Sequence, residues 1–159
     1  MRAPRSGNRL TRRTPCIGIC STTYGDLVCR GCKRFSHEIV GWNTYTEAQR
    51  QDIESRLARL KAGVVAGLVT VLDETQCRQA IAADAQAHGQ EPDDKVLELQ
   101  IYDYLTRARP DSELQQLAPL AIRMPSHIES ITGLREAVEA EFLSRSKAAY
   151  ERSFKVSVD

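Results

Sequence analysis

The chain has 159 residues, of which 42% are hydrophobic, and a formal net charge of +1. These values exclude a fibre or a wholly disordered protein and favour one sizeable core with small appendages. The near-neutral total conceals a division, because residues 1–45 hold eight Lys and Arg against two acids, whereas the rest hold fourteen against nineteen. A basic front segment of net charge +6 is therefore joined to an acidic body of net charge −5.

The first fourteen residues form a predicted disordered basic tail. They contain five arginines, no acidic residue and few apolar residues, so they bury too little surface to offset the entropy lost on ordering. A basic arm for nucleic acid or for an acidic partner is one reading of this composition. We favour a solvated tail, because composition alone is weak support for binding.

Four cysteines dominate the next segment, residues 15–45. Their spacing is C-x3-C, eight intervening residues, then C-x2-C, at Cys16, Cys20, Cys29 and Cys32. Pairs separated by two to four residues let one loop present two sulfurs to one metal ion. We therefore predict a four-cysteine metal knuckle. The spacing favours Zn²⁺, because ferredoxin-type spacings are not matched, and an iron–sulfur cluster is the alternative.

Several neighbours of the cysteines have predicted roles. Tyr24-Gly25-Asp26 reads as a turn that folds the segment back as a hairpin. His37 is expected to have a surface or packing role, since four thiols already suffice for one ion. Arg30, Lys33 and Arg34 would offset the negative charge of the thiolates, and their basic surface is predicted to dock a partner.

We consider two roles for Trp42. We favour a hydrophobic lid between the metal loop and the first long helix. Alternatively, an exposed Trp42 stacks on a nucleic-acid base together with Tyr24 and Arg34.

Residues 46–159 read as a body of about five helices, forming a bundle or an array. A short helix over 34–40 precedes it. The first long helix starts at a Thr46–Gln49 capping box and carries a stripe at spacings of three and four: Ile53, Leu57, Leu60, Val64, Leu68 and Val71. Its end, residues 64–72, also fits a buried strand, although we favour the helix and find no convincing strand elsewhere.

The later helices are bounded by capping and stop signals. The second starts at Asp73 or Thr75 and ends at His88-Gly89, with Cys77 on its inner face as a small apolar residue. A third opens near residue 91 and stops at Pro110, and a short fourth begins near residue 111. The last is predicted over about residues 127–150.

The cysteine segment resembles a known family. The runs Pro15-Cys-Ile-Gly-Ile-Cys20, Val28-Cys-Arg-Gly-Cys-Lys-Arg34, Glu38-Ile-Val-Gly-Trp42 and Thr46-Glu-Ala-Gln-Arg50 resemble the bacterial family catalogued as domain of unknown function 1289. Its members are short proteins described as predicted iron–sulfur proteins. The resemblance covers about residues 14–60. It implies a metal-binding role for Cys16, Cys20, Cys29 and Cys32 and strengthens the iron–sulfur alternative, but it implies no reaction.

These observations predict a non-catalytic, metal-binding interaction or regulatory module, with a small iron–sulfur redox carrier or sensor as the alternative. A protein partner is expected, and nucleic acid is a second candidate for the basic front segment. An enzyme is disfavoured because the chain lacks a Ser/His/Asp arrangement, a phosphate loop and an HExxH motif. We expect a cytoplasmic protein, because no signal peptide is recognisable and the longest apolar run is far below the roughly 20 residues that span a bilayer.

Overall fold

The computed structural model describes residues 15–18, 20–91, 94–116 and 120–154. The predicted basic tail, residues 1–14, lies outside this range. The described chain contains six α-helices and a two-stranded sheet. The helices are α1 (Ser36–Gly41), α2 (Glu47–Leu68), α3 (Glu74–Ala87), α4 (Leu97–Thr106), α5 (Asp111–Gln116) and α6 (Ile131–Phe154), and the strands are β1 (Thr70–Val71) and β2 (Ile122–Arg123). The predicted mainly helical fold is confirmed.

Helix α2 is the central element of the body. The Gln49 amide donates to the Thr46 hydroxyl at 3.2 Å, and the Thr46 amide donates to the Gln49 side chain at 2.9 Å, so the predicted capping box is confirmed. The predicted stripe faces inward, with Ile53, Leu57 and Val64 buried. Helix α2 packs against α4 and α6, and α4 also contacts α3 and α6.

The expectation that the body contains no strand is wrong. Strand β1 pairs antiparallel with β2, placing Thr70 opposite Arg123 and Val71 opposite Ile122. Helix α2 ends at Leu68 and Val69 adopts an extended conformation, so the strand reading of this stretch is correct for two residues only. Such a short pairing leaves too few alternating positions for a sequence pattern to reveal it.

Helix α3 is capped at its N-terminus by Asp73, whose carboxylate accepts a hydrogen bond from the Gln76 amide at 3.0 Å. Cys77 is fully buried on its inner face, as predicted. Near the end of α3, Asp84 receives two hydrogen bonds from Arg109 and one from Arg107, each at 2.9 Å. This buried ion network holds the end of α3 to the segment that follows α4.

Helix α6 begins at Ile131, four residues later than predicted, and continues to Phe154. Its inner face buries Leu134, Val138 and Phe142. Ser146 continues this buried face. The guanidinium of the neighbouring Arg145 would lie 3.3 Å from a Cβ atom added at either Gly63 or Gly67 of α2. The two glycines that weaken α2 by propensity therefore lie where α6 crosses it.

A single cluster of buried apolar side chains joins the helices to Trp42 of the front segment. Six of its members are completely buried: Val64, Cys77, Ile101, Leu105, Leu134 and Val138. Within the described residues, none of the helices combines the length and apolar content needed to cross a membrane.

Candidate metal centre

The second cysteine pair lies in a short hairpin. Val28 and Phe35 form an antiparallel bridge, the Cys29 amide donates to the Arg34 carbonyl and the Lys33 amide donates to the Cys29 carbonyl, both at 2.9 Å. Lys33 closes the turn with φ of +62°, a left-handed conformation that side chains other than Gly adopt at an energetic cost. The hairpin turns Cys29 and Cys32 to the same side.

Backbone N–H groups converge on the sulfur of Cys29. Burial alone would raise the pKa of this thiol, but hydrogen bonds from the backbone of Cys32, Ser21 and Gly31 and from the Cys32 side chain outweigh burial and lower the pKa to about 7. Cys29 is only 1% exposed. N–H groups aimed at sulfur stabilise the thiolate, which is the form that binds metals.

Cys32 is also buried, and burial raises the pKa of its thiol, partly offset by Arg34. The Arg34 Nε donates a hydrogen bond to the Cys32 sulfur at 3.3 Å. Cys29 and Cys32 are thus adjacent, held by the backbone and surrounded by donors. Their donor environment fits two thiolate ligands of one ion.

The first cysteine pair is more exposed. The Gly18 amide lies 3.4 Å from the Cys16 sulfur, with Gly18 at φ of +94°, and the Cys20 sulfur lies 2.9 Å from the Thr22 hydroxyl. A short 3₁₀ turn, Ser21–Tyr24, follows, and Gly25 ends it in a left-handed conformation. The predicted turn at Tyr24-Gly25 is therefore present, but it does not form a hairpin, since the antiparallel bridge joins Val28 and Phe35 farther along the chain.

The two pairs do not form a complete metal site. Among the described residues, no group of three or more His, Cys, Asp or Glu side chains is placed to hold a metal ion. The structure therefore brings Cys29 and Cys32 together as a two-thiol half-site, while the convergence of Cys16 and Cys20 on it stays a prediction. One contact already links the pairs, since the Arg30 amide donates to the Ser21 hydroxyl at 2.8 Å.

Most of the side chains predicted to form a basic docking surface are buried, so that prediction is largely wrong. Lys33 and Arg34 are 1% and 3% exposed, and Trp42 is 7% exposed. The Arg34 guanidinium stacks 4.7 Å from the Trp42 ring centre, a cation–π contact made inside the protein. Trp42 is thus a lid, as favoured, and base stacking by Trp42 with Arg34 is contradicted. Of the four residues proposed for partner binding, Arg30 alone has a mostly exposed side chain.

Lys33 is buried because it joins the cysteine hairpin to the helical body. Its ammonium forms an ion pair with Glu139 of α6 and donates to the Gly31 carbonyl at 2.9 Å. The other Glu139 oxygen accepts a hydrogen bond from the Tyr102 hydroxyl of α4. Lys33 and Glu139 are 106 residues apart, so no local sequence pattern indicates this partnership.

A second connection involves Phe35 at the base of the hairpin. Its ring meets Tyr150 and Phe154 of α6 edge-on, at 5.2 and 5.7 Å between ring centres. The buried Glu38 carboxylate forms two hydrogen bonds of 2.6 Å with Arg56 of α2. The hairpin is thereby fixed to both long helices.

His37 lies on the edge of this aromatic group, with its ring 4.9 Å from that of Phe154. The side chain is exposed. His37 thus lies at the surface and packs against Phe154, and its exclusion as a metal ligand stays a prediction.

Residues 14–61 match the model of a family described as Protein of unknown function (DUF1289). The match confirms the resemblance and nearly reproduces its expected extent. It includes all four cysteines of the front segment, Trp42 and most of α2. No curated protein and no solved structure matches the chain.

Proposed function

We propose that the chain is a non-catalytic metal-binding module, in which Cys16, Cys20, Cys29 and Cys32 hold Zn²⁺ and the front segment docks a protein partner. The observation that carries this proposal is the hairpin at Cys29 and Cys32. Two adjacent sulfurs receiving backbone N–H donors form a preorganised chelating pair. In the reducing cytoplasm, where we place the protein, such thiols stay available to metal.

The metal would act mainly on residues 15–27. The hairpin itself is already fixed to the body, because Val28, Phe35 and Trp42 are buried and Lys33 pairs with Glu139. Coordination by Cys16 and Cys20 would close the preceding stretch over the half-site. Metal binding free energy would thus order this stretch and shape its surface.

The surface offered to a partner is then the exposed edge of the knuckle. Tyr24 and Leu27 are 91% and 57% exposed, and the neighbouring Arg30 side chain is 69% exposed. Exposed aromatic and aliphatic groups beside an arginine are typical of protein interfaces. We therefore propose a protein partner whose surface is apolar and acidic.

An iron–sulfur redox carrier or sensor is the second proposal. Burial of Cys29 and Cys32, together with N–H donors to sulfur, is the kind of environment that tunes the reduction potential of such a cluster. The deciding measurement is metal analysis with visible absorption of protein purified without air. A colourless sample with one zinc per chain supports the first proposal, and a coloured iron- and sulfide-containing sample supports the second.

Two alanine variants test the ligand assignment. Cys29 and Cys77 are 1% and 0% exposed, so Cys29→Ala and Cys77→Ala remove equivalent atoms from buried positions. We expect Cys29→Ala to lose bound metal and Cys77→Ala to retain it. Equal metal content in both variants would contradict the proposed site.

Metal removal by a chelator tests the structural role. In amide chemical-shift spectra, we expect signals from residues 15–27 to collapse while those of α2 and α6 keep their native positions. Unchanged shifts throughout residues 15–27 would refute metal-dependent ordering.

A further inference from the structure

A cleft of about 610 Å³ separates the cysteine loop from the helical body. Ile17, Gly31 and Cys32 contribute to one wall. Lys61 of α2, Tyr102 of α4 and Phe142 of α6 contribute to the other. Cavities of roughly 300–1,000 Å³ with apolar and aromatic walls are typical of small-molecule sites.

Lys61 is the exceptional group in this cleft. Its ammonium stands 4.9 Å from the Tyr102 ring centre and 6.0 Å from that of Phe142. Within the described part of the chain it has no hydrogen bond and no ion pair, although it is partly buried. Burial lowers the pKa of Lys61, and the carboxylates of Asp103 and Glu139 offset this effect only in part.

The cleft also contains three other cations and the carboxylates of Asp103, Glu136 and Glu139. Asp103 pairs with Lys95 and Glu139 with Lys33, whereas Glu136 is exposed. Arg107 and Arg109 both bind Asp84, and Arg135 binds Asp111. A dianion such as a phosphate ester would need further free donors. One ammonium that no described acid pairs with directly instead matches a ligand with one negative charge and an apolar body.

We propose that the cleft binds a small monocarboxylic acid, with the carboxylate on the Lys61 ammonium and the apolar part between Ile17 and the aromatic wall. The carboxylate supplies the direct counter-charge that Lys61 lacks, and the exposed Ile17 side chain supplies apolar contact area, since Tyr102 and Phe142 are only 6% and 1% exposed. Because Cys32 shares the wall, the ligand lies beside the cysteine hairpin. The contact with Lys61 requires no metal, whereas Ile17 lies in the stretch that the proposed metal would order, so the apolar wall rests on the proposed function.

Benzoate is a suitable probe, and benzamide is its uncharged control of nearly equal shape. Titrated into the full-length protein, benzoate should shift the amide and side-chain signals of the cleft saturably. Benzamide should bind at least about tenfold more weakly, since a hydrogen bond to a charged group contributes about that factor. Equal binding of both probes, or no saturable shift with benzoate, overturns the proposal without any variant.

Two lysine variants locate the charge. Lys61→Met keeps the apolar stem of the side chain and removes the ammonium. Lys147→Met removes an exposed lysine on α6 outside the cleft. We expect benzoate affinity to fall about tenfold or more in Lys61→Met and to stay at the wild-type value in Lys147→Met. An equal loss in both variants, or none in Lys61→Met, contradicts binding at Lys61.

Discussion

The ion pair between Lys33 and Glu139 should couple the cysteine hairpin to the body. Removing one partner of a fully buried pair costs about 3–5 kcal/mol. Lys33 is 1% exposed but Glu139 is 35% exposed, so water screens the remaining charge and we expect about 1–3 kcal/mol. Lys33→Met retains most of the packing and removes the charge, whereas Glu139→Gln keeps the shape of the acid.

A double-mutant cycle isolates this contribution. The free energy of unfolding is measured in urea by far-ultraviolet circular dichroism for the wild type, Lys33→Met, Glu139→Gln and the double variant. We expect a coupling energy of about 1–3 kcal/mol. A coupling below about 0.5 kcal/mol, the value of an exposed pair, would refute the reasoning.

The backbone at Lys33 provides an internal check. Lys33→Ala and Lys33→Gly both delete the ammonium, but only glycine adopts φ of +62° without strain. We expect the glycine variant to be the more stable by about 0.5–1 kcal/mol, since relief of a left-handed residue is partly cancelled by the flexibility of unfolded glycine. An alanine variant of equal or greater stability would show that this turn is not strained.

Three further predictions concern the body. Gly67→Ala should stabilise the protein by somewhat less than about 1 kcal/mol in thermal unfolding, because helix propensity improves. The new Cβ atom would lie 3.3 Å from the Arg145 guanidinium, a flexible group that is able to move. Destabilisation would show that Arg145 is fixed. Thr46→Ala should cost about 1 kcal/mol through the lost cap, and an unchanged urea midpoint would contradict the cap. Burial raises the pKa of Asp84, but Arg109 outweighs burial and leaves the pKa lowered, so Asp84 stabilises the fold above the ordinary Asp pKa and this stabilisation is lost as pH falls through the folded-state pKa. Asp84→Asn should therefore cost about 3–5 kcal/mol near neutral pH and less in acid. A loss of stability that does not depend on pH would contradict this sign.

Local signals predicted much of the fold. The Thr46 cap, the inward stripe of α2 and the Asp73 start of α3 depend on residues three or four positions apart, so the sequence displays them directly. The sequence predicts the start of α6 four residues early, because Ile128 continues the apolar spacing of the helix without being helical. The β1–β2 pairing joins residues about fifty positions apart and has no local pattern.

The sequence predicts the candidate ligands, which stay a prediction, but it does not predict their surroundings. Spacing identifies the cysteines, because short chelating loops are local. The burial of Lys33 depends on Glu139, 106 residues farther along the chain. Charge counting alone assigns such a lysine to the surface, and only the packing of α6 against the hairpin reverses that assignment.

Trp42 gives the protein an intrinsic optical reporter. It is the chain's single tryptophan, and its buried indole lies 4.7 Å from the Arg34 guanidinium and 5.8 Å from that of Arg50. Arg34 belongs to the cysteine hairpin and Arg50 to α2, so the ring senses both sides of their junction. Its emission wavelength should shift to the red when the hairpin separates from α2, which allows detachment of the front segment to be followed without any added label.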